Sequence, residues 1–132
     1  MATHVLVVAH KTAATPALIE AVRERARRDE CRFTLLVPRN YWDPDTEAAA
    51  ATIELAVPLL DEAAGSHVEG RIGESDPYEA VRNALAAGDV DEVIVSTLPE
   101  RVSHWLRRDL PSRVRRLGVP VTVVTARDRA DE

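Results

Sequence analysis

Val5-Leu-Val-Val-Ala9 is a continuous apolar run, and Thr15-Pro16 follows it closely. An apolar run without polar alternation is the pattern of a strand covered on both faces, as in a parallel sheet. Thr15-Pro16 reads as a helix start, an N-cap with proline in the first turn, where its missing amide costs nothing. Ile19, Val22 and Ala26 recur at helical spacing, and Arg25, Arg27 and Arg28 suit the negative end of that helix. A second apolar run, Arg32-Phe-Thr-Leu-Leu-Val37, is stopped by Pro38. Strand, amphipathic helix and strand make one βαβ unit.

The same alternation continues outward. An alanine-rich helix follows the loop Arg39-Asn-Tyr-Trp-Asp-Pro-Asp45, with Ile53, Val57, Leu60 and Ala64 on its inner face. Pro58 is expected to kink or split it, because the bond to the Glu54 carbonyl is lost. Gly65 is the expected C-cap. His67-Val-Glu-Gly-Arg-Ile72 reads as a weaker third strand. Asp76-Pro77-Tyr78-Glu79 has the form of a capping box with proline in the first turn. Val81 and Leu85 face inward, and Gly88 ends that helix. Glu92-Val-Ile-Val-Ser96 is the fourth strand. Residues 103–117 are helical in pattern, with Leu106, Leu110, Val114 and Leu117 on one stripe and Pro111 expected to divide it. Gly118-Val-Pro120 turns into a fifth strand, Val121-Thr-Val-Val-Thr125. The order predicts an α/β fold: a three-layer, doubly wound parallel sheet with right-handed crossovers. Residues 1–126 form one domain, and 127–132 are a polar tail.

At 132 residues the chain holds one buried core. Aromatics are only 4%, so that core is built from Val, Leu, Ile and Ala. A net charge of −5 argues against general affinity for nucleic acid or anionic membranes. Against that balance, Arg101, Arg107, Arg108, Arg113, Arg115 and Arg116 crowd the last third, either as a solvated helix face or as an anion site. Cys31 is the single cysteine, which excludes an internal disulfide framework. No apolar run approaches the roughly 20 residues of a membrane span. The N-terminus lacks the basic region and cleavage site of a signal peptide, so a cytoplasmic location is expected.

Ligands of doubly wound sheets bind beyond the carboxyl ends of the strands, where the winding reverses. The segments that matter are therefore 9–12, 37–41, 72–76, 96–103 and the chain from Thr125 onward. Between Asp89 and Leu117 there is no glycine. A loop that wraps phosphate favours glycine, because its backbone comes close to the ligand and often takes positive φ. Here the loop after the fourth strand reads Ser96-Thr-Leu-Pro-Glu-Arg-Val-Ser-His-Trp105.

Taken together, Val5-Leu-Val-Val-Ala9, Gly73-Glu-Ser-Asp-Pro77 with Ala80-Val81, Asp91-Glu-Val-Ile-Val95 and Pro120-Val-Thr-Val-Val124 resemble the universal stress protein family over nearly the whole chain. The resemblance implies a five-stranded sheet of order 3-2-1-4-5 and a homodimer made by pairing of the last strands, Val121 to Thr125. ATP-binding members of that family carry an acidic residue after the first strand and a spaced glycine motif after the fourth. This chain has His10 at the first place, and Thr97 and Glu100 where the first two glycines would stand. The later glycine with Ser or Thr falls near Arg108-Asp109 or Leu110-Pro111. Ser96-Thr97, Ser103, Trp105-Leu106, Arg108 and Leu110 look similar to a glycine-poor branch of unassigned function, which often has His where this chain has Leu98.

Each candidate residue has two readings. His10, Lys11 and Thr12 end the first strand, where Lys11 would meet an anion, helped by the Thr12 and Thr15 hydroxyls. Arg101, Arg107 and Arg108 follow the fourth strand with Thr97. Ser103 is placed to cap a helix whose amides would face an anion, and arginine forks would grip phosphate or carboxylate. The plainer reading leaves Ser103 a cap and the arginines in solvent. His104 and Trp105 lie one turn further, with Trp105 packing over the sheet or stacking on a ligand ring. Tyr41-Trp42 either border the crevice or, as expected, are buried under the long helix. Asp43 and Asp45 are accounted for by capping. His4, His10, His67 and His104 lack zinc-site spacing, so no metal is expected. A receiver domain is excluded because Ala9-His10 and Ile72-Gly73 stand where its acidic residues would be. No nucleophile, base and orienting group share a readable spacing.

These readings lead to a non-catalytic universal-stress-like binding or regulatory module, acting in stress physiology, that does not hold ATP in the usual way. The alternative is a nucleotide or small-anion binder whose arginines replace the glycine loop; ATP and AMP are disfavoured but open. A third class, an enzyme acting on an anionic metabolite, has no visible general base.

Overall fold

The computed structural model describes residues 2–40, 42, 46–98 and 104–126, with main chain only at His104 and Arg107. Strands β1 (Thr3–Val8), β2 (Cys31–Pro38), β3 (Glu69–Gly73), β4 (Glu92–Thr97) and β5 (Val121–Thr125) form one parallel sheet. Their order is β3-β2-β1-β4-β5, as the resemblance implies. Between them run α1 (Pro16–Arg28), α2 (Glu47–Ala64), α3 (Pro77–Ala87), and the short α4 (His104–Arg107) and α5 (Leu110–Arg115).

The continuous apolar strands sort into two cores. Val5, Val7, Phe33, Leu35, Val37 and Ile94 pack with Leu18 and Val22 of α1 and with Ala56 and Leu60 of α2. Leu6, Val8, Leu36, Val93 and Val95 pack with Ala80 and Val81 of α3 and with Leu110 and Val114 of α5. Successive strand residues point to opposite faces, so a strand apolar at every position needs a helical layer on each side. Each fully buried Leu, Val or Phe contributes about 1.5–3 kcal/mol of transfer free energy.

The winding reverses at β1. From there the chain moves outward through β2 and β3, returns to β4 on the other side of β1, and ends at β5. Val5 lies opposite Glu92 and Val8 opposite Val95. Two residues past that last rung stand His10 and Thr97. A partly buried ion pair ties the other end of the same strands to α1. Arg25, read from the sequence as suiting the negative end of α1, is buried, and its Nε and Nη2 fork onto Glu92 at 3.0 and 2.7 Å. Its Nη1 also meets Asp29.

Local signals are realised with four corrections. Thr15 precedes α1, but its hydroxyl donates to the Thr12 carbonyl at 2.8 Å and does not cap the helix. Pro58 neither splits nor ends α2, which runs through it to Ala64. Pro58 and Glu54 are on the exposed side, where water satisfies the freed carbonyl while Ala56, Leu60 and Ala63 hold the inner face. The last helical stretch does break, but at Asp109, which takes φ 57; Pro111 sits in the first turn of α5. Trp42 is 65% exposed, so it is not buried under α2. Asp76 caps α3 by accepting from the Tyr78 amide at 2.9 Å, whereas Glu79 turns to Arg82 at 2.6 Å. Gly65 closes α2 in the left-handed region, φ 74, with its amide on the Asp61 carbonyl at 2.9 Å.

Gly73 fixes where α3 begins. A Cβ there would lie 2.8 Å from the Ala80 Cβ and 2.9 Å from Leu36 Cδ1. Only glycine allows α3 to approach the end of β3 this closely, and that approach sets Ser75, Asp76 and Pro77 beside the ends of β1 and β2. Among the described residues, no helix is long and apolar enough to cross a membrane.

Candidate functional site

A cleft of about 530 Å³ lies over the carboxyl ends of β1, β2 and β4. That volume is ordinary for a small-molecule site. Its floor is made by the strand ends. Thr12 and Ser96, both buried, join hydroxyl to hydroxyl at 2.6 Å across the gap between the β1 and β4 loops. Beside them Thr97 is 2% exposed, and its Oγ1 has no hydrogen-bond partner among the described residues. A buried hydroxyl left unpaired costs about 1–3 kcal/mol, so Thr97 Oγ1 calls for a partner beyond the described residues.

The walls are cationic. Lys11 enters from the β1 loop, Arg39 from the end of β2, Arg108 from the turn after α4, and Arg113 from α5. Arg113 lies 4.2 Å over the Tyr78 ring, a cation–π contact that steadies the guanidinium between α3 and α5. Arg39 Nη1 touches the Asn40 carbonyl at 3.3 Å. Asp76 is the one carboxylate in the described lining, and it is engaged as the α3 cap. Four cations against one carboxylate leave a local excess of three positive charges, in a chain whose net charge is −5. A concave site with this imbalance concentrates anions. Apolar surface comes from Pro38, Pro77, Leu98, Leu110 and a half-buried Trp105.

His10 lies between floor and wall. Burial pushes its pKa below the ordinary 6.5, the adjacent Lys11 charge lowers it further, and the Asn40 side chain acts in the opposite direction. Its Nε2 is buried with no hydrogen-bond partner among the described residues.

The structure thus brings together His10, Lys11, Thr12, Thr97 and Arg108. Arg101 and Ser103, the Glu100 position, the loop residues Tyr41, Asp43 and Asp45, and the tail 127–132 lie outside the described residues. So do the side chains of His104 and Arg107. Thr15 does not serve the cleft, because its hydroxyl is used on the Thr12 carbonyl. Trp105 packs against the second core, as one of its sequence readings has it, and also lines the cleft. Arg39 and Arg113 are additions. Arg39 follows β2 directly, inside a segment singled out by topology, so chain position alone would have found it. Arg113 had only membership of a basic run, and its role depends on where Tyr78 stands. Among the described residues, no group of three or more His, Cys, Asp or Glu is placed to hold a metal ion.

A doubly wound domain with its crevice at the point of reversal defines the class. Among solved structures, the chain is similar to a universal stress protein in complex with cAMP, with a TM-score of 0.71 and 16% identity over 96% of this chain and 98% of that one. It is also similar to a protein described as hypothetical, with a TM-score of 0.60 and 17% identity over 98% and 100% of the two chains. At such identities the likeness is one of fold, and the fold is that of the universal stress proteins. No protein-family model and no curated protein sequence matches the chain.

Proposed function

We propose that the chain is a non-catalytic binding module that takes a small anionic ligand, of nucleoside monophosphate size, and does not hold Mg-ATP in the usual way. The observation that carries this is the convergence of Lys11, Arg39, Arg108 and Arg113 on a floor where the Thr97 hydroxyl has no partner among the described residues. Side-chain cations and hydroxyls take the place of backbone amides from a glycine loop, and a guanidinium fork suits a terminal phosphate or a carboxylate. The Thr97 side chain fills the strand end that a phosphate-wrapping turn leaves bare. The cAMP bound by the structurally similar universal stress protein supports a nucleotide as one member of the ligand class.

Calorimetry with cAMP, AMP and Mg-ATP tests this. Binding of cAMP or AMP that weakens with salt, and falls about tenfold in Lys11→Ala or Arg108→Ala, is the expected result. Mg-ATP binding at micromolar level, with the β- and γ-phosphates adding affinity, would overturn it. The same reading places the module in the cytoplasm, in stress or regulatory physiology, as a homodimer. β5 is an edge strand bearing Val121, Val123 and Val124, and such an edge invites pairing with a second copy. Light scattering that gives only monomer mass at high protein concentration would rule out the dimer.

A further inference from the structure

His10 is the side chain of the described cleft lining that changes charge near neutral pH, since histidine alone among these residue types titrates there. It stands two residues beyond the last β1–β4 rung, level with Thr97. The charged groups sharing its cleft come from every wall. They are Lys11 on its own loop, Arg39 after β2, Asp76 at the start of α3, and Arg108 and Arg113 on the α4–α5 side. His104, on α4, is the other histidine of this region. In the free protein burial first, and then the adjacent Lys11 charge, disfavour an imidazolium, with the Asn40 side chain acting the other way. An anion entering the cleft brings an opposite charge to His10 and offsets part of that positive surround.

The geometry points to His10 as the residue that makes anion binding proton-linked: the cleft takes up a proton with its ligand and grips anions more tightly as pH falls below neutrality. This rests on the anion-binding reading above. The direction follows from linkage. A bound anion raises the pKa of a nearby imidazole, so between its free and bound values the complex carries more protons than the separated partners. Affinity is lowest where His10 is neutral in both states and highest where it is charged in both. Free His10 titrates below 6.5, so the rise begins near the raised pKa of the complex and levels off beneath the lowered pKa of the free protein. An opposite charge within about 4–6 Å moves a pKa by about one unit or more, and one unit is tenfold in affinity.

The probe is cAMP, a phosphodiester whose single charge is constant over this range. Calorimetry at about pH 5.5 and about pH 8 should show roughly tenfold tighter binding at the lower pH. Two phosphate-free buffers of unlike ionisation enthalpy, used at intermediate pH, should report net proton uptake by the wild-type protein. His10→Gln should flatten the pH profile at the weak limit. His10→Lys should flatten it at the tight limit, which mere structural support by His10 would not produce. Equal cAMP affinity at both pH values with no proton uptake would overturn the proposal while leaving the anion site standing. So would a pH dependence that survives His10→Gln and disappears in His104→Gln. No heat with cAMP at either pH would overturn both readings. Proton uptake is read on the unaltered chain, so the test does not depend on any variant folding.

Discussion

Replacing Thr97 by valine should make the free protein more stable and its cleft less able to hold an anion. The two side chains have nearly the same shape, so packing at the end of β4 is kept. The change removes an Oγ1 that is buried with no partner among the described residues. Leaving such a group unpaired costs about 1–3 kcal/mol. The lower end applies, because Thr97 lines a cleft and relaxation there brings water close. A gain of about 1 kcal/mol should raise the Tm of a domain this size by about 4 °C. Urea unfolding should move to a higher midpoint with an unchanged slope, since the area exposed on unfolding is the same. Affinity for cAMP or AMP should fall about tenfold or more, the loss of one hydrogen bond to a charged group worth about 1.5–3 kcal/mol. Thr97→Val that destabilises the protein by more than about 1 kcal/mol would show that the hydroxyl is satisfied, and unchanged anion affinity would remove Thr97 from the site.

Four further outcomes are expected. Glu92→Gln should cost about 2 kcal/mol in urea unfolding, less than a fully buried pair, because the Glu92 side chain keeps 19% exposure. Gly65→Ala should cost about 1 kcal/mol from the left-handed φ of 74 alone, since no heavy atom lies within 4 Å of a Cβ there; a neutral result would mean the turn relaxes. Ligand should quench the fluorescence of Trp105 but not of the exposed Trp42, so Trp42→Phe keeps the quench and Trp105→Phe loses it. In the free protein, His10 has a folded pKa below its unfolded 6.5, so the unfolded chain takes up this proton first. Stability should therefore decline as pH falls through about 6.5 and level off below the folded value, and His10→Gln should remove that decline.

The five strands and the parallel winding were legible in the sequence because apolar runs, helical spacing and caps such as Asp76-Pro77 point the same way, whereas the sheet order followed from the family resemblance. Errors arose where a local rule met a tertiary one. Pro58 breaks helices in general, but on the exposed side of α2 its lost bond goes to water while the inner face stays packed. Arg25 matched the helix dipole, yet β4 brings Glu92 to it from 67 residues away, a pairing that no local pattern encodes. The site was legible as strand-end segments, which gave His10, Lys11, Thr12 and Thr97, and as a basic run after the fourth strand, which gave Arg108. Arg113 was not, because its place depends on the Tyr78 ring and on the turn at Asp109.

The hydroxyl bridge from Thr12 to Ser96 and the Arg25–Glu92 fork fasten the same two strands and the α1 connection at opposite ends. That side of the crevice behaves as an anvil, with no freedom to shift without breaking buried polar contacts. The facing side hangs on two helices of four and six residues joined through Asp109. Under the proposed anion binding, accommodation of ligands of different girth should fall to one jaw, so substitutions in α4 and α5 should alter selectivity while those in β1 and β4 should unsettle the whole domain.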